Sequence, residues 1–279
     1  MKKFKGIITA LITPFENSKV DFASLERLVD HQLKNGVEGF VINGTTAESP
    51  TLNPQERDEI FKKVKAMVPA EFPLWMGTGS NSTEKTVEDS RAAEKLGADA
   101  LLVVVPYYNK PPQRGLFEHF MKVASATGLP NFLYNVPGRT ITSLEVDTVK
   151  KLAEHPQIIG IKEATGNIDL AKQIRAACGN EFIMLSGDDG TYDEFMMAGG
   201  DGVISVASHV IPKAMKAQKA REHLDLINAL FSEANPIPVK MAMHLMGVIK
   251  SPECRLPLVT LSDSATEKLK IEMKKKDLL

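Results

Sequence analysis

The chain has 279 residues, 43% of them hydrophobic and 25% charged, the composition of an ordinary globular protein with room for a sizeable core. Lys+Arg 34 against Asp+Glu 35 leave a net charge of -1, so no overall basic field exists to hold nucleic acid or an anionic membrane, and small molecules are the expected partners. The amino terminus shows no signal-type apolar stretch, no apolar run approaches the roughly 20 residues of a membrane span, and Cys178 and Cys254 lack metal-type spacing, which predicts a cytoplasmic protein with free thiols.

Apolar runs alternate with segments of helical period. Residues 6–13 read as the first strand, and Leu25, Leu28, Val29 and Leu33 predict a helix over 24–35 that Gly36 ends. Residues 39–43 are the second strand, after which Asn53-Pro54 supplies an N-cap and a first-turn proline for a helix to about Met67. Residues 74–77 are the third, and Asn81 with Glu84 predicts a capping-box start for a helix that Gly97 closes. Strands four to eight are read at 100–105, 131–135, 158–165, 182–186 and 202–206, separated by helices over 115–127, 143–154, 167–178 and 191–198. Such alternation implies a parallel sheet. Eight units close into an α/β (β/α)8 TIM barrel over 1–215, an open doubly wound sheet being the alternative, and 216–279 forms a small C-terminal helical region broken at Asn235-Pro236 and Leu256-Pro257.

In such barrels the active site gathers at the carboxyl ends of the strands. The sixth strand, Ile158-Ile159-Gly160-Ile161-Lys162, ends in a lysine, and burial among apolar neighbours disfavours the charged ammonium, leaving a nucleophile for carbonyls. A solvated surface lysine is the bland alternative. The other strand ends contribute Thr45 and Thr46, Tyr107 and Tyr108, Tyr134 and Arg139, and Gly187-Asp188-Asp189. An imine-forming lysine needs a proton shuttle, for which Tyr134, Thr45 and Tyr108 are candidates, while Arg139 offers a planar fork for a carboxylate. The six histidines show no HxH or HExxH spacing, which argues against a metal-dependent aldolase. Asp188-Asp189 reads as a helix cap, and Gly199-Gly200-Asp201-Gly202 precedes its strand and so falls on the wrong face for a phosphate loop.

Gly44-Thr45-Thr46-Ala47-Glu48-Ser49, Tyr107-Tyr108-Asn109-Lys110-Pro111, Tyr134-Asn135-Val136-Pro137-Gly138-Arg139-Thr140, Ile161-Lys162-Glu163-Ala164-Thr165-Gly166 and Leu185-Ser186-Gly187-Asp188-Asp189 stand in the order of the dihydrodipicolinate synthase motifs. Over nearly its whole length the chain resembles that family of pyruvate-dependent class I aldolases. The resemblance implies a lyase that condenses pyruvate with L-aspartate 4-semialdehyde in lysine biosynthesis, with no metal or organic cofactor. It implies that Lys162 forms the imine, that Tyr134, Thr45 and Tyr108 relay protons, with Tyr108 reaching in from a neighbouring subunit, and that Thr46 and the backbones of Gly187 and Ile204 hold pyruvate. Arg139 would receive the semialdehyde's carboxylate, and a homo-oligomer, a tetramer or a dimer, is expected. Two other readings are a sibling pyruvate aldolase, such as an N-acetylneuraminate lyase or keto-sugar-acid aldolase, and an inactive barrel that binds a keto acid.

Three departures from the family pattern carry consequences. Ala47 replaces the usual glycine, which predicts a strained threonine loop if that position needs φ > 0. The stretch between Ile204 and Asn235 is shorter than is common, leaving its helix count open. Pro54, Arg57 and Lys85 stand where lysine-inhibited members carry histidines and a glutamate. Two cations there repel the inhibitor's amines, so little or no inhibition by lysine is expected in a steady-state assay. Half inhibition at submillimolar lysine would contradict this.

Overall fold

The structure, a computed structural model, describes residues 3–279. Its eight parallel strands are β1 (Gly6–Ala10), β2 (Gly39–Ile42), β3 (Leu74–Gly77), β4 (Ala100–Val104), β5 (Asn131–Asn135), β6 (Ile158–Glu163), β7 (Ile183–Ser186) and β8 (Gly202–Ser205). They are ordered β1-β8-β7-β6-β5-β4-β3-β2 in a closed barrel, the (β/α)8 class that the alternation predicts, and further helices follow at the carboxyl end of the chain. Each strand is a near-continuous run of buried residues, as parallel strands covered on both faces require. The described residues fall into two compact units: Pro73–Ile204 with residues 3–6, and Ile7–Phe72 with Ser205–Leu279.

In the first unit, β5 and β6 set the register that matters for the site, pairing Tyr134 with Lys162 and Asn135 with Glu163. The pairing slips at Asn131/Phe132, beside Gly160. A Cβ there would lie 2.5 Å from the Ile183 carbonyl oxygen and 2.7 Å from the Phe132 ring, so only glycine admits this approach. Phe4, Trp75 and Phe132 meet edge to face with centroids 5.1–5.8 Å apart. Asp201 accepts hydrogen bonds from Lys5 Nζ and Arg175 Nη2, both at 2.7 Å, and from the Met184 amide at 3.0 Å. Burial opposes its ionisation, but these donors hold its carboxyl below the ordinary range, so Asp201 anchors the chain ahead of β8.

In the second unit, β1 pairs with β2, and a two-residue hairpin, Phe15–Glu16 with Lys19–Val20, follows β1. The helix Phe22–Lys34 turns Leu25, Leu28 and Val29 inward, and Pro54–Lys65 begins with a complete capping box between Asn53 and Glu56. Beyond β8 the chain forms one-turn helices at Ala207–His209 and Ala220–His223 and helices at Pro212–Lys216, Leu224–Leu230, Ile237–Leu245 and Asp263–Lys274. This gives the helix count that sequence left open.

Three local expectations change. The helix Thr83–Leu96 is capped by Ser82, whose hydroxyl accepts from the Lys85 amide, because Asn81 lies one residue too early to reach the first turn. The helix expected over 143–154 is shorter, Val146–Leu152, because Asn135 Oδ1 takes the Ser143 hydroxyl and the Leu144 amide, keeping that stretch extended. The cap expected of Asp188 is not formed: Thr191 is the N-cap of Tyr192–Met197 and no side chain caps that helix, because Asp188 lies three residues further back and takes the amide and hydroxyl of Thr191 itself.

Two buried imidazoles stay neutral. The Ile12 amide donates to His209 Nε2 at 3.2 Å, so Nδ1 carries the proton and donates to the Val206 carbonyl at 2.9 Å. His119 pairs through Nδ1 with the Thr83 hydroxyl at 2.9 Å. Burial pushes both down to about 4. Between pH 6.5 and 4 the unfolded chain binds protons at these residues that the folded chain does not, so their contribution is complete above pH 6.5 and lost on acidification. The loss is of the order of 2 kcal/mol per histidine by pH 5. The thermal midpoint is expected to fall between pH 7 and pH 5, and less steeply in His119→Gln; a midpoint flat over that range would contradict these neutral states.

Candidate active site

The first unit gathers its site residues at the ends of β5, β6 and β7. Lys162 is 6% exposed, and its Nζ lies 4.4 Å from the centroid of the Tyr134 ring, its register partner. Neither Lys162 Nζ nor the Tyr134 hydroxyl makes a hydrogen bond or ion pair among the described residues. A ring face at this distance attracts positive charge, by about 0.5–2 kcal/mol. The same ring face favours the positive charge of a protonated imine formed on that nitrogen.

Gly187 makes this placement possible. A Cβ there would fall 2.5 Å from Ala164 Cβ and 2.8 Å from Lys162 Cε, so a larger residue would displace the lysine stem. The Gly187 amide donates to the Glu163 carbonyl at 2.7 Å, which ties β7 to the residue after Lys162.

Residues next in sequence face the other way, as the period of two in a strand demands. Asn135 Nδ2 donates to Glu163 Oε2 at 2.7 Å, and Glu163 Oε1 accepts from the Thr165 amide at 2.7 Å. Asn135 Oδ1 receives Ser143 and Leu144, closing the loop that carries Arg139. Burial raises the Glu163 carboxyl above its ordinary range against the pull of these donors. Arg139 lies on the one-turn helix Pro137–Thr140, between two segments thus fixed. Tyr108 is 86% exposed with φ 73, and Ile204 is buried on β8.

The second unit holds Thr45 and Thr46 on a one-turn helix, Thr45–Ala47. The positive φ in this loop falls at Asn43 and Glu48, not at Ala47, whose helical backbone suits any side chain. The strain expected of Ala47 is therefore absent.

Glu48 is fully buried and accepts from Lys240 Nζ at 2.6 Å and from the Arg255 amide at 2.8 Å. Burial pulls the Lys240 amine below its ordinary range, opposed by the Glu48 charge, and pushes the neighbouring Cys254 thiol up to about 12. Arg255 also donates to the Thr51 carbonyl at 2.8 Å and forks onto Glu56, while Lys240 and Arg255 both lie over the Phe15 ring. Asn235 Nδ2 donates to Thr46 Oγ1 at 2.9 Å. Sequence reasoning missed Asn235, Lys240 and Arg255, which follow no strand; the nearest signal was the Asn235-Pro236 break, read only as an interruption.

A family model described as the dihydrodipicolinate synthetase family matches residues 3–276. A 4-hydroxy-tetrahydrodipicolinate synthase of Bdellovibrio bacteriovorus is 59% identical over the full length of both chains. The solved dihydrodipicolinate synthase of Thermotoga maritima superposes with a TM-score of 0.95 at 43% identity, covering 99% of each chain. The chloride-inhibited dihydrodipicolinate synthase of Acinetobacter baumannii, solved with pyruvate, gives 0.95 at 41% identity, covering 99% of this chain and 100% of that one.

Proposed function

The chain belongs to the dihydrodipicolinate synthetase family, and from that premise we infer how its own residues carry out the reaction. It is a lyase, a 4-hydroxy-tetrahydrodipicolinate synthase that condenses pyruvate with L-aspartate 4-semialdehyde in lysine biosynthesis. The observation that carries the mechanism is the buried Lys162 amine, against the Tyr134 ring and without a carboxylate partner among the described residues.

Lys162 Nζ attacks the keto carbon of pyruvate, and the carbinolamine loses one water to give a protonated imine. Loss of a methyl proton gives the enamine, whose carbon attacks the aldehyde carbon of the semialdehyde. The substrate's own amine then displaces Lys162 by transimination, closing a six-membered ring and returning the free lysine. Two substrates thus yield one product and one water.

Tyr134 supplies the proton to the departing hydroxyl and takes protons back in the later steps, with Thr45 and Tyr108 passing them on. Thr46 and the backbones of Gly187 and Ile204 hold the keto acid's carboxylate, and Arg139 pairs with the carboxylate of the semialdehyde. The exposed Tyr108 is a residue to be completed by a neighbouring copy, in a homo-oligomer of two or four subunits. Free Cys178 and Cys254 suit a reducing compartment, and we place the enzyme in the cytoplasm. A polyhydroxylated sugar-acid substrate would ask for neutral hydrogen-bonding groups where Arg139 stands, which disfavours a sialic-acid lyase.

A coupled assay with pyruvate should show turnover with L-aspartate 4-semialdehyde and none in the cleavage of N-acetylneuraminate. Tyr134→Phe, which keeps the ring and removes the hydroxyl, is expected to lower kcat by about 10²–10⁴-fold. Undiminished kcat in Tyr134→Phe, or preference for the sugar acid, would overturn this reading.

A further inference from the structure

Thr46 is buried, 4% exposed, and the bonding partner of its hydroxyl comes from a distant part of the chain. Asn235, itself 8% exposed, donates through Nδ2 to Thr46 Oγ1 at 2.9 Å. An amide nitrogen can only donate, whereas a hydroxyl carries one hydrogen and accepts through its lone pairs. The bond therefore makes the threonine oxygen the acceptor and leaves its hydrogen unspent. Among the described residues that oxygen makes no second hydrogen bond.

We propose that Asn235 is a positioning residue that sets the direction of the Thr46 hydroxyl, so that its hydrogen is presented to the carboxylate of the keto acid. This rests on the reading of Thr46 as a pyruvate-binding group. Without the amide, a buried hydroxyl would turn its hydrogen towards whichever protein acceptor lay nearest and meet the carboxylate with its lone pairs. An oriented donor spares the substrate that rearrangement.

The same stretch of chain separates this role from holding the loop in place. Asn235 stands two positions before the helix Ile237–Leu245, and Lys240 on that helix donates to Glu48, two positions beyond Thr46. Glu48 is held a second time by the Arg255 amide. The charged contacts thus hold the loop at Glu48, while the Asn235 side-chain amide meets the loop at the Thr46 hydroxyl.

The test is steady-state kinetics of the full-length enzyme in both substrates for Asn235→Ala, Asn235→Asp, Thr46→Val and the Asn235→Ala/Thr46→Val double variant. Asn235→Ala is expected to raise KM for pyruvate about tenfold, the scale of one hydrogen bond to a charged group, with KM for the semialdehyde within about twofold of wild type. Asn235→Asp has nearly the same size but accepts the threonine hydrogen, so it should raise KM for pyruvate as well; it carries the comparison if the alanine variant fails to fold. The double variant should be no worse than Thr46→Val alone. Effects of the two single changes that multiply in the double variant, or an unchanged KM in Asn235→Ala and Asn235→Asp beside a raised one in Thr46→Val, would overturn the role of Asn235. An unchanged KM for pyruvate in Thr46→Val would overturn the reading of Thr46 itself.

Discussion

Two lysines among the described residues are buried, and the difference between their surroundings is the constraint on which the chemistry depends. Lys240 is wholly buried and its amine is matched by Glu48 at 2.6 Å, an ion pair that fixes geometry and leaves the nitrogen occupied. Removing one partner of such a pair strands a buried charge, at a cost of about 3–5 kcal/mol. Lys162 is nearly as deeply buried but among the described residues is paired with no carboxylate, and its Nζ lies 4.4 Å from the centroid of the Tyr134 ring. One lysine is paired with a carboxylate and braces a loop. The other keeps a nitrogen that a carbonyl carbon can reach.

The strand pleat separates chemistry from support. Tyr134 and Lys162 share one face of the β5–β6 pair, while their sequence neighbours Asn135 and Glu163 share the other. On that second face a carboxylate and an amide satisfy one another and the amides of Thr165 and Leu144, so the loops leaving both strands are tied to the strands themselves. Gly187 completes the arrangement by leaving out a side chain where the stem of Lys162 passes. The threonine loop is held by another means, charged and amide contacts from residues about 190 to 210 positions later in the chain.

Periodicity made the barrel legible, because each strand–helix unit is encoded within some 30 neighbouring residues and its signals are local. The strands at Leu74–Gly77 and Asn131–Asn135 fall where alternation places them. Lys162 was legible for the same reason, being a charged residue at the end of an apolar run. What sequence did not disclose was tertiary. Asn235, Lys240 and Arg255 carry no local mark of their partners at Thr46 and Glu48, and Lys240 alone would pass for a solvated helix residue. The condition set for Ala47 is not met, because a motif names a position without its dihedral; the left-handed residues of this loop are Asn43 and Glu48. The helix after Ser143 starts late because Asn135 competes for the backbone amide, a contact across nine positions that no capping rule contains.

The chemistry requires a Lys162 nitrogen that bonds covalently to a keto carbon. The most direct measurement is reduction with borohydride in the presence of pyruvate, followed by intact mass and peptide mapping. A single stable adduct on Lys162, absent from Lys162→Ala, is the expected result. An unmodified protein, or an adduct mapped to Lys240 or to a surface lysine, would contradict it.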